Sequence, residues 1–395
     1  MQFQQIQGQQ KVKDQLTQMV SSQRLSHALL FLGKEGSGAL ELAIALAQWI
    51  VCEQNNSSSL TQDMFAGEKS DQPVTQDSCG RCASCQKAAA LIHPDIHFSF
   101  PTISRASGDK PVSSDFIEEW RNFIQQTPFG NAYDWLQSIG AENKQGNITA
   151  HECEDILRKL HLKSFESGYK ILIQWMPEYL GNSGNKLLKM IEEPPEKTLF
   201  ILVAEDESKI LPTILSRTQL VKINQLSTQE VEDWLITKQA VPREKAITLA
   251  PLAQGNLREA FQMIHHGDED WQALLRDWLN AMLKNGPSAQ VKWIDEISKL
   301  GREKQKQFLL YFIHLISVAI HLENTGTMKT ASETEVDFAQ RILKLASTPQ
   351  LEIMVQELNT AMYSIERNAH AKMLFMALTI KIYHIIKDKS LILIH

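Results

Sequence analysis

The stretch HALLFLGKEGSGALELAIALAQWIV, residues 27–51, decides how the first part of this chain folds. It opens with an apolar run of the length of a buried strand, and it closes with ALELAIALAQWIV, which has the length and composition of a buried helix. Between them lies GKEGSG, residues 33–38, a glycine-rich loop of the kind that holds phosphate at the N-terminus of a helix. We call this loop the cradle. Strand, loop and helix in this order predict an α/β domain.

The composition is that of an ordinary globular protein. The chain has 395 residues, of which 43% are hydrophobic and 22% charged, and this length allows two or three domains with cores of their own. A net charge of -6 argues against a global positive field that would attract nucleic acid. The first residues lack the basic and apolar regions of a signal peptide, and no apolar run is long enough to span a membrane. We therefore expect a cytoplasmic protein that has no membrane association.

Strand and helix signals alternate up to about residue 225, which favours a parallel sheet covered by helices on both faces. Further strands are predicted in HPDIHFSFP, YKILIQWM, KTLFILVAED and TQLVKI. A helix is predicted in GNSGNKLLKMIEE, where Pro194 and Pro195 end it. Beyond this point the strand signals vanish. The predicted fold is thus α/β plus all-α.

Three domains are predicted: the α/β domain at 1–225, a small helical domain at 226–268 and a larger helical domain at 269–395. Two segments of the first domain stand apart. Residues 53–78 are polar and rich in Ser and Gln, which predicts a mobile loop. Residues 102–147 are rich in Gly, Ser, Asn and Pro around one helical piece, and we interpret them as an insertion on the core fold.

The glycine-rich loop lacks the side chains of a working P-loop. In the pattern G-x-x-x-x-G-K-[ST], the lysine reaches the outer phosphates and the hydroxyl binds magnesium. Gly33 and Gly38 keep the spacing, but Ala39 replaces the lysine and Leu40 replaces the Ser or Thr. A glycine-rich turn that never bound nucleotide would look the same. Under either interpretation we expect no functional ATP binding by this chain.

A second part of an ATPase site is missing as well. The strand ILIQWMPE should end in acidic residues that hold magnesium and orient the attacking water. Gln174 and Trp175 occupy the positions where these residues would fall. Because two independent features are lost, we expect no ATP hydrolysis by the chain alone.

Four stretches, in order, resemble a known family: HALLFLGKEGSG, SCGRCASCQ, NKLLKMIEEPPEKTLFILVAED and LPTILSRTQ. They look like the delta-prime subunits of the bacterial DNA polymerase III clamp loader, an AAA+ family related to the gamma/tau motor subunits. The resemblance covers nearly the whole chain, although residues 53–78 and 102–147 depart from the family pattern. It implies a degenerate P-loop, a helical lid domain and a C-terminal helical collar that packs into a ring.

The resemblance also implies a function. The chain would be a non-catalytic subunit that assists ATP-dependent loading of the sliding clamp onto primed DNA. Its partners would be the gamma/tau and delta subunits, with the clamp and primed DNA reached through the assembled complex.

The cysteines predict a metal site in the module 52–85. Cys79, Cys82 and Cys85 form a C-x2-C-x2-C array, and Cys52 ends the helix that follows the cradle. Four thiolates suit a tetrahedral structural zinc ion, and in an intracellular chain this spacing favours metal over disulfides. The resemblance picks out the same four positions. The alternative is three reduced thiols and a buried core cysteine.

Three other residues of metal-binding or nucleophilic type are set aside. His93 and His97 lie near the array in the sequence, but HPD is typical of a turn. Cys153 lies on a predicted helix, and the sequence offers no Cys/His/Asn set for it.

The stretch ILSRTQ places Arg217 just past the core strand LFILVAED, where it can face a neighbouring subunit. It resembles the Ser-Arg-Cys motif of clamp-loader subunits, with Thr218 in place of the cysteine. The resemblance implies that Arg217 is an arginine finger, which contacts the γ-phosphate of ATP bound next door. The alternative is a surface arginine in a salt bridge.

Three further charged residues are interpreted structurally. Arg258, in GNLREA, stands where AAA+ relatives carry a second nucleotide-sensing arginine. Because the cradle is broken, we expect it to make a structural contact. Glu192 and Glu193 are interpreted as a solvated helix end and not as an acid/base pair.

The C-terminal helical piece AHAKMLFMALTIKIYHII is apolar nearly all round. The apolar positions are Met373, Leu374, Phe375, Met376, Leu378, Ile380 and Ile382. A helix of this kind is expected to be buried, either in an ordinary bundle core or against a partner.

Two other function classes stay open. An active AAA+ ATPase with divergent motifs would bind ATP as an isolated chain. A zinc-ribbon DNA-binding protein would show steep salt-dependent binding to DNA.

Overall fold

The computed structural model describes residues 1–22, 24–55, 77–106, 108–127, 129–141, 144–265, 270–325, 333–366 and 369–387. The predicted loop at 53–78 lies mostly outside these residues. The chain divides into two compact units. The first comprises residues 1–234 with 254–259, and the second comprises 235–253 with 260–395. The predicted boundaries at 225 and 268 stay predictions.

A five-stranded parallel sheet forms the centre of the first unit, in the order β2-β3-β4-β1-β5. The strands are β1 (Ala28–Gly33), β2 (Ile96–Ser99), β3 (Lys170–Trp175), β4 (Thr198–Ala204) and β5 (Gln219–Ile223). Each lies in a stretch predicted to be a strand. The parallel sheet predicted from the alternating pattern is therefore confirmed.

Helices cover both faces of this sheet, as successive side chains of a strand point to opposite sides. In β1, Leu29 and Phe31 belong to one hydrophobic core, whereas Ala28 and Leu30 belong to the other. The helices up to residue 237 are α1 (Gln10–Ser21), α2 (Ala39–Val51), α3 (Ala83–Ala89), α4 (Ile117–Gln126), α5 (Ala132–Ser138), α6 (Ala150–His161), α7 (Leu188–Glu192), α8 (Pro212–Leu215) and α9 (Thr228–Thr237).

The first and last residues of the segment 102–147 pair with each other. Thr102 and Asn147 pair as an antiparallel bridge, with two backbone hydrogen bonds of 2.9 Å. Between them, Trp120 of α4 stacks on Phe100 at 4.2 Å between ring centroids, and it lies 5.1 Å from the ring of Trp175. This aromatic packing fixes the segment on the sheet beside the end of β3.

The helix predicted over GNSGNKLLKMIEE is wrong for its first half. Residues Pro177–Leu187 form a 3-10 run, and the α-helix α7 spans Leu188–Glu192 alone. Gly181 interrupts the run with φ 48° and ψ -140°, a conformation that glycine adopts without strain.

The second unit is helical. Its helices are α10 (Arg243–Leu252), α11 (Leu257–His265), α12 (Trp271–Asn280), α13 (Pro287–Ile297), α14 (Arg302–Thr325), α15 (Glu333–Leu345), α16 (Thr348–Glu366) and α17 (Ala371–Lys387), of which α11 starts in the first unit. Trp278 and Trp293 stack in its core with centroids 4.8 Å apart. Within the described residues, none of the helices combines the length and apolarity needed to cross a bilayer.

The helix α17 is not buried all round by the bundle of its own chain, so the expected burial against a partner stays a prediction for its outer face. Phe375 and Ile382 are fully buried in the bundle core. Met373, Met376 and Ile380 are 72%, 38% and 49% exposed, and their spacing places them on one face of the helix. The bundle buries one side of α17 only.

Candidate functional site

The cradle lies where β1 passes into α2. Gly33 ends the strand, and Gly38 is the N-cap of α2 with φ 86°, in the left-handed region. Ala39 and Leu40 are the first two residues of the helix, and each is 8% exposed within the hydrophobic core. The two positions that carry the lysine and the hydroxyl in a working P-loop are thus core positions here.

A cavity opens in front of this loop. Residues 33–41 line it, together with Phe129 and Gly130 from the segment 102–147 and with Trp175 at the end of β3. Burial raises the pKa of Glu41 to about 7, whereas the backbone N–H groups of Glu41 and Phe129 act in the opposite direction. The cavity wall therefore carries the carboxyl group of Glu41 next to Leu40, the residue that replaces the magnesium-binding hydroxyl of a working P-loop.

The end of β3 carries no acidic pair. Gln174 is buried, and its Nε2 donates to Ser99 Oγ of the neighbouring strand at 3.1 Å. Trp175 is buried against Trp120 and Phe123 at 5.1 and 5.9 Å between centroids. These side chains connect strands and pack helices, and neither can bind a cation as a carboxylate would.

Arg258 makes a structural contact, as the sequence predicts, and this contact lies beside the cradle. Its guanidinium is 1% exposed, and its Nε and Nη2 donate to the two carboxylate oxygens of Asp134 at 2.5 and 2.6 Å. Its Nη1 lies 3.2 Å from Glu35 of the cradle loop and 3.1 Å from Glu259. Three carboxylates thus surround one buried cation.

The four predicted metal ligands come together. The Sγ atoms of Cys52, Cys79, Cys82 and Cys85 all lie within 4.8 Å of one another. Tetrahedral zinc with Zn–S bonds of about 2.3 Å requires sulfur atoms about 3.8 Å apart. The distance from Cys79 Sγ to Cys85 Sγ is 3.9 Å. The cluster can therefore hold a metal ion such as zinc.

Backbone N–H groups already support the thiols as ligands. Cys79 N donates to Cys52 Sγ, Cys82 N to Cys79 Sγ and Cys85 N to Cys82 Sγ, each at 3.4 Å. Burial acts to raise the pKa of Cys79, but N–H groups of Arg81 and Cys82 and the adjoining thiols lower it to about 7. At Cys79 such donors favour the thiolate, which is the form that binds metal, whereas burial raises the pKa of Cys52 and of Cys85.

The residues that the sequence sets aside lie apart from this cluster. Among the described residues, the group of four contains neither His93 nor His97. The ring of His93 accepts from Asp95 N at 3.2 Å, as in a turn. Cys153 is buried, its Sγ donates to Ser183 O at 3.5 Å, and burial raises its pKa to about 12. A thiol in this state is not a nucleophile.

Arg217 lies between α8 and β5, with a side chain that is 33% exposed. Its Nε donates to Glu192 Oε1 at 2.5 Å, and its Nη1 donates to Thr213 O at 2.7 Å and to Ser216 Oγ at 3.2 Å. Glu192, the last residue of α7, is exposed as expected for a solvated helix end, and it also pairs with this arginine. The salt bridge and the accessible guanidinium coexist, so this contact alone does not decide between the two interpretations of Arg217.

Comparison with known proteins identifies the family of this chain. A family model described as "DNA polymerase III, delta subunit" matches residues 8–227, which is more than half of the chain. The chain belongs to this family. It is a DNA polymerase III clamp-loader-family subunit, and the resemblance seen in the four sequence stretches is confirmed at this level.

Curated relatives are similar to this chain in sequence, at modest identity. DNA polymerase III subunit delta' of Bacillus subtilis (strain 168) is 26% identical over 255 residues, which are 65% of this chain and 59% of that protein. The delta' subunit of Yersinia pestis is 25% identical over 355 residues, 87% of this chain and 84% of that one. The gamma subunit of Buchnera aphidicola subsp. Acyrthosiphon pisum (strain APS) is 22% identical over 345 residues, 80% and 78% of the two chains.

Sequence reasoning missed Glu35, Asp134 and Glu41 at the cradle. Asn131 and Asp134 in NAYD form a capping box, because Asn131 Oδ1 accepts from Asp134 N and Asp134 Oδ2 accepts from Asn131 N. This pattern could have predicted the start of α5. Nothing local could have indicated that Asp134 meets Arg258, which is 124 positions away.

Proposed function

We propose that this chain is a non-catalytic subunit of the delta' type in a cytoplasmic DNA polymerase III clamp loader. It would assist gamma/tau and delta subunits in the ATP-dependent loading of the sliding clamp onto primed DNA. The observation that carries the proposal is the burial of Ala39 and Leu40 in the hydrophobic core. No lysine or hydroxyl stands at these positions of the cradle to bind phosphate and magnesium.

Arg217 would serve a neighbouring ATP site. The guanidinium of Arg217 is partly exposed. Its contacts are a carboxylate, a carbonyl oxygen and a hydroxyl on the surface of its own unit. A γ-phosphate carries more charge than the Glu192 carboxylate and can replace it as the partner of the Nε and Nη2 edge. In that position the arginine would stabilise charge on the transferring phosphoryl group.

Zinc would have a structural role. Cys52, Cys79, Cys82 and Cys85 would supply four thiolates, which leaves no open coordination position for a substrate. The ion would hold the start of α3 against the end of α2, and so it would fix the module beside the cradle helix.

The test is ATP hydrolysis by the reconstituted loader with clamp and primed DNA, comparing wild type with Arg217→Ala. We expect turnover at the neighbouring site to fall by about 10^3-fold or more, because an arginine finger contributes about that much. The burst of phosphate that is released in a single loading event should therefore be smaller by the amount that one ATP site contributes.

Arg158→Ala is the matched control, since Arg158 is an exposed arginine of the same unit that is paired with Asp155. Assembly of each variant is checked by size-exclusion chromatography. An unchanged burst with Arg217→Ala would remove the trans role. ATP turnover by the isolated wild-type chain would contradict the non-catalytic assignment and favour an ATPase with divergent motifs.

A further inference from the structure

The buried guanidinium of Arg258 lies beside the cradle, where a bound phosphate would be the natural anion. A glycine-rich loop that precedes a helix N-terminus favours negative charge, and an arginine next to it strengthens that preference. Here the negative charge comes from the chain itself. Asp134 offers both carboxylate oxygens to Nε and Nη2 at 2.5 and 2.6 Å, in the two-point geometry by which arginine also binds phosphate.

The neighbours of Asp134 reach the cradle as well. Asn131 Nδ2 donates to Glu35 Oε2 at 2.9 Å, and Phe129 and Gly130 line the cavity in front of the loop. The segment 129–134 therefore covers the cradle with one side-chain hydrogen bond, a stretch of backbone and a buried ion pair. The first turn of α5 places Asp134 for this contact through its capping box with Asn131.

The turn 256–258 closes on the cradle from another direction. Leu257 N donates to Gly36 O at 3.1 Å, and Asn256 Nδ2 donates to Glu35 Oε1 at 3.3 Å. Gly36 must be glycine for this approach, because a Cβ atom there would lie 1.8 Å from Asn256 Oδ1. Three segments distant in sequence thus meet at one loop, and the Asp134–Arg258 pair joins two of them.

We propose that Asp134 is an internal substitute for a bound phosphate. From α5 it supplies the anion that Arg258 needs, and so it holds the turn 256–258 on the cradle in the absence of nucleotide. The segment 102–147 then has a role, which is to keep this part of the unit in one arrangement whether or not ATP is present. The inference depends on the contacts around Arg258 and not on the proposed trans role of Arg217.

The test is hydrogen–deuterium exchange of the amides of Leu257, Arg258 and Glu259 in the full chain. Asp134→Asn keeps the shape of the side chain and removes its charge. We expect exchange at these three amides to accelerate at least tenfold, and we expect the unfolding temperature to fall by about 5–10 °C, as for a broken buried ion pair. Glu119→Gln is the matched control, because Glu119 lies in the same segment and pairs with Arg105 at the surface.

Two further variants extend the test: Arg258→Met separates the ion pair from the capping of α5, and Asp134→Ala asks whether a free anion can replace the carboxylate. Arg258→Met leaves the capping box intact and should accelerate the same amides. Asp134→Ala leaves space for an anion, so inorganic phosphate at about 50 mM should restore protection at 257–259 more than chloride at equal ionic strength. ATP added to the wild type should leave these amides unchanged.

The proposal fails if Asp134→Asn and Arg258→Met exchange like Glu119→Gln, since the pair would then not hold the turn. It also fails if ATP alone changes the protection of 257–259 in the wild type. Absence of phosphate rescue in Asp134→Ala would reject the idea that the carboxylate stands in for a phosphate.

Discussion

At the scale of single residues, the side chains of Ala39 and Leu40 at the cradle are buried in the protein and lack the groups that bind phosphate and magnesium in a P-loop. The pKa of Glu41, which follows the cradle, makes this burial measurable. Its pKa is raised from 4.5 to about 7 by burial. The folded chain keeps this proton up to about pH 7, whereas the unfolded chain releases it near pH 4.5. Between these values the folded state binds more protons, so the free energy of unfolding falls as the pH rises.

We expect Glu41→Gln to abolish this fall. The stability of the wild type relative to the variant should decrease from pH 4.5 to pH 7.5 by at most about 3 kcal/mol, given 1.36 kcal/mol per pKa unit. Urea unfolding at several pH values measures it, and Glu193→Gln, an exposed glutamate at the end of α7, is the control. Parallel pH profiles for wild type and Glu41→Gln would show that Glu41 titrates normally.

At the scale of elements, the sequence predicts the parts that depend on local pattern. The strand β1 and the helix α2 follow from apolar runs separated by glycines, and all five strands lie within predicted stretches. The helix predicted before Pro194 fails in its first half, since Gly181 and the 3-10 run take a form that period alone does not reveal. The Asp134–Arg258 contact depends on the tertiary fold, for which a single sequence carries no periodic signal.

The cysteine module is the element whose chemistry the sequence predicts best. Its ligands come from the end of α2 and the start of α3, and Cys82 is the N-cap of α3. We expect Cys52→Ser to lower the zinc content from about one ion per chain to near zero, because a tetrahedral site loses one of its four thiolates. The measurement is metal analysis of purified protein after dialysis against a weak chelator.

The fifth cysteine provides the control for this experiment. Cys153 is buried outside the cluster, so Cys153→Ala should keep the metal. Loss of the metal from both variants would point to general unfolding. Full retention by Cys52→Ser would mean that Cys52 is a core cysteine and not a metal ligand.

At the scale of the whole molecule, the helical unit leaves part of its C-terminal helix uncovered. Met373, Met376 and Ile380 form an exposed apolar face on α17, while the opposite face packs into the bundle. Exposed apolar faces of this kind often mark protein–protein contacts. If the chain joins a clamp loader through a collar, as the family resemblance implies, this face is the one that we expect to contact another subunit.

The double variant Met373→Lys/Ile380→Lys tests this expectation. The free energy of unfolding of the isolated chain should change by no more than about 0.5 kcal/mol, because both side chains are solvated. Its affinity for the other loader subunits should fall at least tenfold, about 1.4 kcal/mol, because two charges would be buried without partners. Leu345→Lys, at an exposed apolar residue of α15, is the control. Equal affinities for wild type and double variant, measured by sedimentation velocity, would exclude this face of α17 from the assembly.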